Sequence, residues 1–411
     1  MSLDSHHTGK EVKSSALPRP IKLCVVATAD ITIQNLCRGR LEYLVEHGYD
    51  VTVVCGPTNM ADQIRARGLK LFTPVLTRAI SPFTDLRCLM QLRRFFCREQ
   101  FHIIEISTPK AALLGAIAAR LAIGSKLVHL LRGLAYQRQS FLSALLMRWS
   151  QRIPSILADS VIAVSPSLRE RAIADRVVES ERTVVLGSGS SNGVDTARFS
   201  PRLRERRAEL RAQLRIPMDA VVAGFVGRMT ADKGIAELIP AFLGARMKHP
   251  NLHLLIVGDY EHRDKPAPRI VDLIERDPHI VRTGWQSDTA AYYGAMDFLV
   301  LPSRREGFAN VLLEAQSAGL PVIATDIEGC RDAVRPNETG LLVPLDSTDA
   351  LQAGLEKLTG DAALRQHMGD AGRAWVIEHF DQQRVWELYD EHYKRLMGIA
   401  SGSAASHASP Q

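Results

Sequence analysis

The sequence predicts an α/β protein made of two doubly wound halves, each a parallel sheet flanked by helices, with a cleft between them. Three observations carry this. Short Val- and Ile-rich runs alternate with longer helical patterns, the signature of parallel βαβ units. The series occurs twice, on either side of a small polar stretch, Gly187-Ser188-Gly189-Ser190-Ser191-Asn192-Gly193, which reads as a loop or hinge. The 411 residues suffice for two or three domains at about 100–200 residues each.

The elements follow in order. Residues 1–20 are polar and lack the apolar core of an export signal, and residues 1–19 are expected to be disordered. Residues 21–28 (IKLCVVAT) form a first buried strand, followed by a helix near 34–47 with Gly48 closing it. A second strand at 50–55 is stopped by Gly56-Pro57, and further strands are expected at 102–106, 126–130 and 160–164. The second series has strands at 220–226, 252–257, 279–282, 298–301 and 321–324, each trailed by a helical stretch. A long helical pattern runs from Asp381 to about Met397, and residues 400–411 read as a disordered Ser/Ala tail.

Composition narrows the classes. An apolar fraction of 46% with 23% charged residues excludes wholesale disorder. Six scattered cysteines without a C-x-x-C pair argue against a disulfide scaffold or a cysteine zinc site, and fit a reducing cytosol. The His6-His7 pair is too short to hold a metal. The longest apolar run, 111–123, is broken by Arg120 and falls short of the ~20 residues that cross a bilayer. The net charge of +6 is unevenly spread. Residues 1–195 hold 25 Lys and Arg against 16 Asp and Glu, and residues 196–411 hold 26 against 29, so the first half faces an anionic partner. A nucleic acid is the poorest candidate, because the basic residues are not interleaved with stacking aromatics, only 6% of the chain.

Two segments carry chemistry. The first is Phe225-Val226-Gly227-Arg228-Met229-Thr230-Ala231-Asp232-Lys233-Gly234, at a strand end and opening into a helix. Gly227 lets backbone approach a ligand, and Arg228 and Lys233 place two cations at a helix N-terminus, which suits a diphosphate. A solvated turn with two surface cations has the same spacing. The second is Pro302-Ser303-Arg304-Arg305-Glu306-Gly307-Phe308-Ala309-Asn310-Val311-Leu312-Leu313-Glu314-Ala315. Glu306 falls in a strand-end loop and Glu314 about one turn into the following helix, so both are expected to point into one cleft. Carboxylates accept hydrogen bonds from vicinal hydroxyls, which suits a ribose or hexose. Taken singly, either Glu also fits an acidic residue placed favourably near a helix N-terminus.

Together with Gly319-Leu320-Pro321-Val322-Ile323-Ala324-Thr325 and Thr339-Gly340-Leu341-Leu342-Val343-Pro344, the second half resembles the retaining glycosyltransferases of family 4, which have the GT-B fold of two Rossmann-like domains around a deep cleft. The resemblance spans most of 220–345, E-G-F-x-N-x-x-x-E being its most specific part, and Asn192-Gly193-Val194-Asp195 matches the interdomain segment. It implies an acceptor domain at 20–195, a nucleotide-sugar donor domain at 196–380 and a helix at 381–399 packing back on the first domain. It further implies that Arg228 and Lys233 hold the donor diphosphate, Glu306 contacts the donor sugar, Glu314 binds ribose hydroxyls, and Gly307, Phe308 and Asn310 line the path between. No metal or other cofactor is implied, since Arg and Lys supply the charge stabilisation and no DxD-type motif stands in the strand-end loops.

The sequence departs from the family in three places. Leu131-Arg132-Gly133 replaces a common His-Gly pair, and Arg132 reads as a donor-phosphate contact, an anionic-acceptor contact or a loop cation. His129 reads as strand packing. Thr28-Ala29-Asp30-Ile31-Thr32 replaces a glycine-rich turn, and Glu328-Gly329 stands where Gly-Gly is frequent. The 187–195 string is similar to members that build capsule, exopolysaccharide or O-antigen units on a polyprenyl diphosphate. That implies a UDP-sugar donor, a lipid-linked saccharide acceptor and a cytoplasmic protein resting on the inner membrane. Arg87, Arg93, Arg94 and Arg98 then read as a headgroup patch or a solvated face. In the stretch 138–159, Phe141, Leu142, Leu145, Leu146, Trp149 and Ile153 recur at helical spacing beside Arg138, Arg148 and Arg152; a core-facing helix is favoured over an interfacial one. A nucleotide-sugar epimerase of the same architecture and a non-catalytic nucleotide-sugar-binding subunit are the competing readings.

Overall fold

The computed structural model describes residues 20–399 except 78, 80, 135, 137–140 and 262–263, and the side chains of Asn35 and residues 141–143 are also left aside. The two expected tails and Arg138 lie outside the described residues.

The first sheet holds β1 (Ile21–Val26), β2 (Tyr49–Val54), β3 (Lys70–Phe72), β4 (Ile103–Ser107), β5 (Lys126–Leu131), β6 (Ser160–Ala163) and β7 (Thr183–Val184), in the order β3-β2-β1-β4-β5-β6-β7. The second holds β8 (Val221–Val226), β9 (Leu252–Val257), β10 (Ile280–Arg282), β11 (Phe298–Leu301), β12 (Val322–Thr325) and β13 (Gly340–Val343), in the order β10-β9-β8-β11-β12-β13. Every pairing is parallel. Strands such as β9 are buried along their whole length, because helices cover both faces of a parallel sheet. In each sheet the winding reverses beside the first strand, between β1 and β4 and between β8 and β11, which opens a crevice at the carboxyl ends.

Three short strands escape the sequence reading. β3 and β7 have three and two residues, too few to show a period, and β13 was legible only as a motif. The single helix expected near 34–47 is two, Asp30–Leu36 and Arg40–Glu46, broken at Gly39 with φ 80°. A Cβ at Gly39 would lie 2.3 Å from the Trp386 ring, so the break makes room for the final helix.

That helix, Gln382–Leu396, puts Val385, Tyr389 and Tyr393 into the core of the first domain. There Tyr393 donates to Glu105, a fully buried carboxylate that also takes Arg40 Nη2 at 2.7 Å. Phe380, just before it, belongs to the core of the second domain. The two interdomain crossings therefore run side by side: Val194 N donates to Phe380 O at 2.8 Å and Gln382 N to Val194 O at 3.0 Å. Gly193 (φ 66°) permits this, since a Cβ there would meet Phe380 O and Gln382 Cα at 2.7 Å.

The helix Phe141–Leu157 corrects the core-facing expectation. Leu145, Leu146 and Trp149 are exposed, while Gln151, Pro154 and Ser155 face inward. Gln151 donates to the Gly133 carbonyl at 2.7 Å and Ser155 Oγ lies 3.0 Å from His129 Nδ1, so polar bonds join Leu157, which packs on the core, in tying this helix to the domain. Of the six cysteines all are free, with only Cys97 exposed.

Candidate active site

Facing loops of the two domains enclose a cavity of about 310 Å³. The first domain contributes Thr108, His129, Arg132, Gly133 and Gln151 from the carboxyl ends of β4 and β5 and the helix behind them. The second contributes Arg228, Asp232, Lys233, Arg305, Glu306 and Gly307 from the ends of β8 and β11.

Glycines bring these loops together. Lys233 ends a single 3₁₀ turn, Ala231–Lys233, and Gly234 follows in the left-handed region at φ 71°. A Cβ on Gly234 would stand 1.9 Å from Pro302 O, so only glycine lets this turn lie against the loop after β11. The result is Lys233 Nζ at 2.5 Å from Glu306 Oε1, an ion pair whose side chains are 17% and 14% exposed. Gly307 does the same across the cleft: its absent Cβ would fall 1.6 Å from Arg132 O. Arg228 is largely exposed and pairs with Glu261, and Arg305 lies 3.7 Å from Asp232. Gly227, at φ 152°, leaves the end of β8 open, with only the Phe225 ring within 4 Å of a would-be Cβ.

Glu314 does not share this cavity, which corrects the expectation that both carboxylates face one cleft. It lines a second cavity of about 220 Å³ at the hinge, with Arg38, Asn192, Asp195, Arg198, Asn310 and Trp386. Asn310 and Glu314 are four residues apart on the helix Asn310–Ser317 and so share a face, whereas Glu306 lies in the loop before that helix. Phe308 packs between the two cores and lies 5.5 Å, ring to ring, from Phe380.

Tyr293 donates to Glu314 at 2.6 Å. Burial pushes the Glu314 carboxyl up to about 7, and the Tyr293 hydrogen bond and the Arg198 charge offset part of that rise. A value raised in the folded state favours folding below the unfolded value of about 4.5, and this contribution is lost as pH climbs through about 7. In thermal melts Glu314→Gln is therefore expected to match the parent near pH 5 and to melt higher near pH 8. Equal melting temperatures at both would show that the carboxyl is not raised.

Arg132 donates from Nη1 to Ser191 Oγ at 2.6 Å and from Nη2 to Cys37 Sγ at 3.5 Å. His129 is held neutral, burial lowering it to about 4. Where a glycine-rich turn was missing, Thr28 and Thr108 join the ends of β1 and β4 with hydroxyls 2.8 Å apart. Thr108, with φ 66°, was not foreseen, although Thr-Pro at a strand's carboxyl end was a readable signal. Asp232 and Arg305, neighbours of Lys233 and Glu306 in the two segments, were given no role, and Gln151 reaches the cavity only through the packing of its helix. Among the described residues no group of three or more His, Cys, Asp or Glu is placed to hold a metal ion.

Both halves of the chain resemble known proteins. The profile of the family described as Glycosyl transferases group 1 matches residues 206–375, and that of the Glycosyl transferase 4-like domain matches residues 33–189. The capsular polysaccharide biosynthesis glycosyltransferase CapM of Staphylococcus aureus is 31% identical over 367 residues, 89% of this chain and 95% of that protein. The UDP-Gal:alpha-D-GlcNAc-diphosphoundecaprenol alpha-1,3-galactosyltransferase of Escherichia coli is 27% identical, covering 81% of this chain and 86% of its own. In fold, the crystal structure of Anabaena HepE with UDP and glucose superposes with a TM-score of 0.77 at 20% identity, covering 91% of this chain and all of that one. With two parallel-sheet domains, a cleft lined from both and matching profiles on each half, the chain belongs to the family 4 glycosyltransferases and has the GT-B fold.

Proposed function

We propose that the protein transfers a sugar, with retention, from a UDP-sugar to a saccharide carried on a polyprenyl diphosphate, in surface polysaccharide assembly at the inner face of the cytoplasmic membrane. The observation that carries this is the Lys233–Glu306 pair beside Arg228 in the interdomain cleft. Support for the substrates comes from the relatives: one is named for a UDP-Gal donor and a diphosphoundecaprenol-linked acceptor, and another for capsule synthesis.

In this reading the donor diphosphate takes Lys233 and Arg228 from their carboxylate partners, and Glu306, freed of its cation, accepts hydroxyls of the sugar. The bond between the anomeric carbon and the phosphate oxygen breaks while the acceptor hydroxyl attacks from the same face. Its proton passes to the departing phosphate. Negative charge grows on the diphosphate as the sugar becomes oxocarbenium-like, and fixed cations stabilise that charge without rearranging. These cations do the work that a metal ion does elsewhere, so no metal is required in this reading. In this reading the ribose hydroxyls bond to Glu314 and Asn310, which line one cavity.

The test supplies UDP-sugars with extracted polyprenyl-diphosphate saccharides and follows UDP release and the anomeric configuration of the product. Transfer that needs the lipid-linked acceptor and keeps the donor's configuration is expected. An epimerised sugar formed without acceptor, an inverted linkage, or donor binding without transfer to any acceptor would each reject the reading.

Membrane contact rests on one face of the helix Pro82–Glu99. Phe83, Leu86 and Met90 are 90%, 57% and 47% exposed, and Arg87 and Arg94 interleave with them, neither paired to a carboxylate among the described residues. Leu145, Leu146 and Trp149 are exposed on the helix Phe141–Leu157, and the helix Pro109–Ala122 packs against both. No described helix is long and apolar enough to cross a membrane. Apolar side chains among unpaired cations suit an anionic lipid surface, at about 1 kcal/mol per basic residue. Phe83→Glu with Met90→Glu is expected to lower co-flotation with anionic vesicles about tenfold, while turnover of a detergent-soluble acceptor stays within about twofold. Unchanged flotation would remove this face from the proposal.

A further inference from the structure

We propose that Arg132 is a third cation on the donor diphosphate, delivered from the opposite domain, so that closing the cleft completes the site that stabilises the leaving group. This rests on the nucleotide-sugar reading above and adds a residue to it.

Arg228 and Lys233 are each matched by a carboxylate, Glu261 and Glu306. Arg132 is not: its partners are the neutral Ser191 hydroxyl and the Cys37 sulfur, and no carboxylate lies within 4 Å of it among the described residues. The neighbouring cation that also reaches Cys37, Arg40, has a carboxylate of its own in Glu105. Arg132 Nε is buried without a partner. The guanidinium is thus held in place from behind while its charge is left uncompensated, an arrangement that costs desolvation and is balanced once an anion arrives.

Its position then selects the anion. Arg132 lines the cleft cavity together with Lys233 and Arg228. Its carbonyl packs on Gly307, the residue after Glu306. Ser191, which anchors its Nη1, adjoins Ser190, and Ser190 Oγ lies 3.1 Å from Asn310 Oδ1 at the start of the helix Asn310–Ser317. Asn192, on the other side of Ser191, lines the hinge cavity with Glu314. Arg132 therefore stands between the cavity of Glu306 and that of Glu314. In a nucleotide sugar the group linking hexose to ribose is the diphosphate, so a donor reaching from one carboxylate to the other passes its phosphates by Arg132. A planar guanidinium takes two phosphate oxygens at once, which an ammonium or an imidazole does not.

The experiment measures UDP and uridine affinities by calorimetry, and steady-state kinetics, for Arg132→Ala, Arg132→Lys and Lys233→Ala. Arg132→Ala is expected to weaken UDP about 10- to 100-fold and leave uridine unchanged. It is expected to lower kcat about 100-fold while the acceptor KM stays within about threefold. Arg132→Lys, which keeps the charge and loses the fork, is expected to fall between and stands in if the alanine variant does not fold. Normal UDP affinity in Arg132→Ala and Arg132→Lys with a loss in Lys233→Ala would overturn the proposal, as would a rise confined to the acceptor KM. Normal UDP affinity in all three variants would instead reject the donor reading beneath it.

Discussion

Lys233→Ala is expected to lower kcat by about 10²–10³-fold, as removing one fixed donor of transition-state charge stabilisation does in other group transfers. Lys233 is the more buried of the two cations on the donor side, 17% exposed against 63% for Arg228, so its charge is screened less and acts more strongly on the departing phosphate. The substitution also leaves Glu306, 14% exposed, without its cation, at a stability cost of about 1–3 kcal/mol. The two effects separate in a double variant. Adding Glu306→Gln is expected to restore the melting temperature by removing the unpaired charge, while activity stays low. Stopped assays of sugar transfer beside melting curves check this, and a kcat within about threefold of the parent would sink the role given to Lys233.

Gly307→Ala carries the second large effect, and it acts through geometry. A methyl group there would be placed 1.6 Å from Arg132 O and 2.6 Å from its carbonyl carbon, both backbone atoms that no rotamer change can move. The loop is also pinned from behind, since a Cβ on Gly329 would lie 2.6 Å from Gly307 O. The two domains must then part, and the cavity that both of them line is pulled open. Activity is expected to fall about 100-fold, since a misplacement of about 1 Å costs roughly that much. Each sheet keeps its own core, so the melting temperature should shift only slightly. Small-angle scattering is expected to report a larger radius of gyration. Parent-like turnover would show that the Gly307–Arg132 contact is not needed for catalysis.

The site was legible in part, and the residues show where legibility stopped. Glu306, Arg228 and Lys233 were marked as candidates because strand-end loops opening into helices have local signatures, whereas Gly307 and the roles of all four came from the family resemblance. Arg132 stood out as a cation in a loop, but its lack of a carboxylate partner is visible only once Ser191 and Cys37 are seen around it. Gln151 carries no local mark at all, since it reaches the cavity only because its helix packs behind β5. The helix Phe141–Leu157 shows the limit most plainly. Its amphipathic pattern was read correctly as a helix with an apolar face, yet periodicity says nothing about which face meets the core, and here Gln151 and Ser155 turn inward.

By itself the sequence determined the two parallel α/β halves, the polar loop at 187–193, the helix after Asp381 and the two loops that hold the candidate chemistry. All of these follow from periods and breakers acting over a few residues, where the chain's own sterics decide. Only the tertiary structure decided which of those groups meet. It set Lys233 against Glu306, 73 residues away, because Gly234 lets one turn lie on Pro302. It sent Glu314 into a separate cavity, because eight residues of loop and helix turn the second carboxylate away from the first. It left Leu145, Leu146 and Trp149 exposed and set Arg132, without a carboxylate partner among the described residues, at the boundary between the two cavities. Contacts across tens of residues depend on how whole elements pack, and a local pattern carries no term for that.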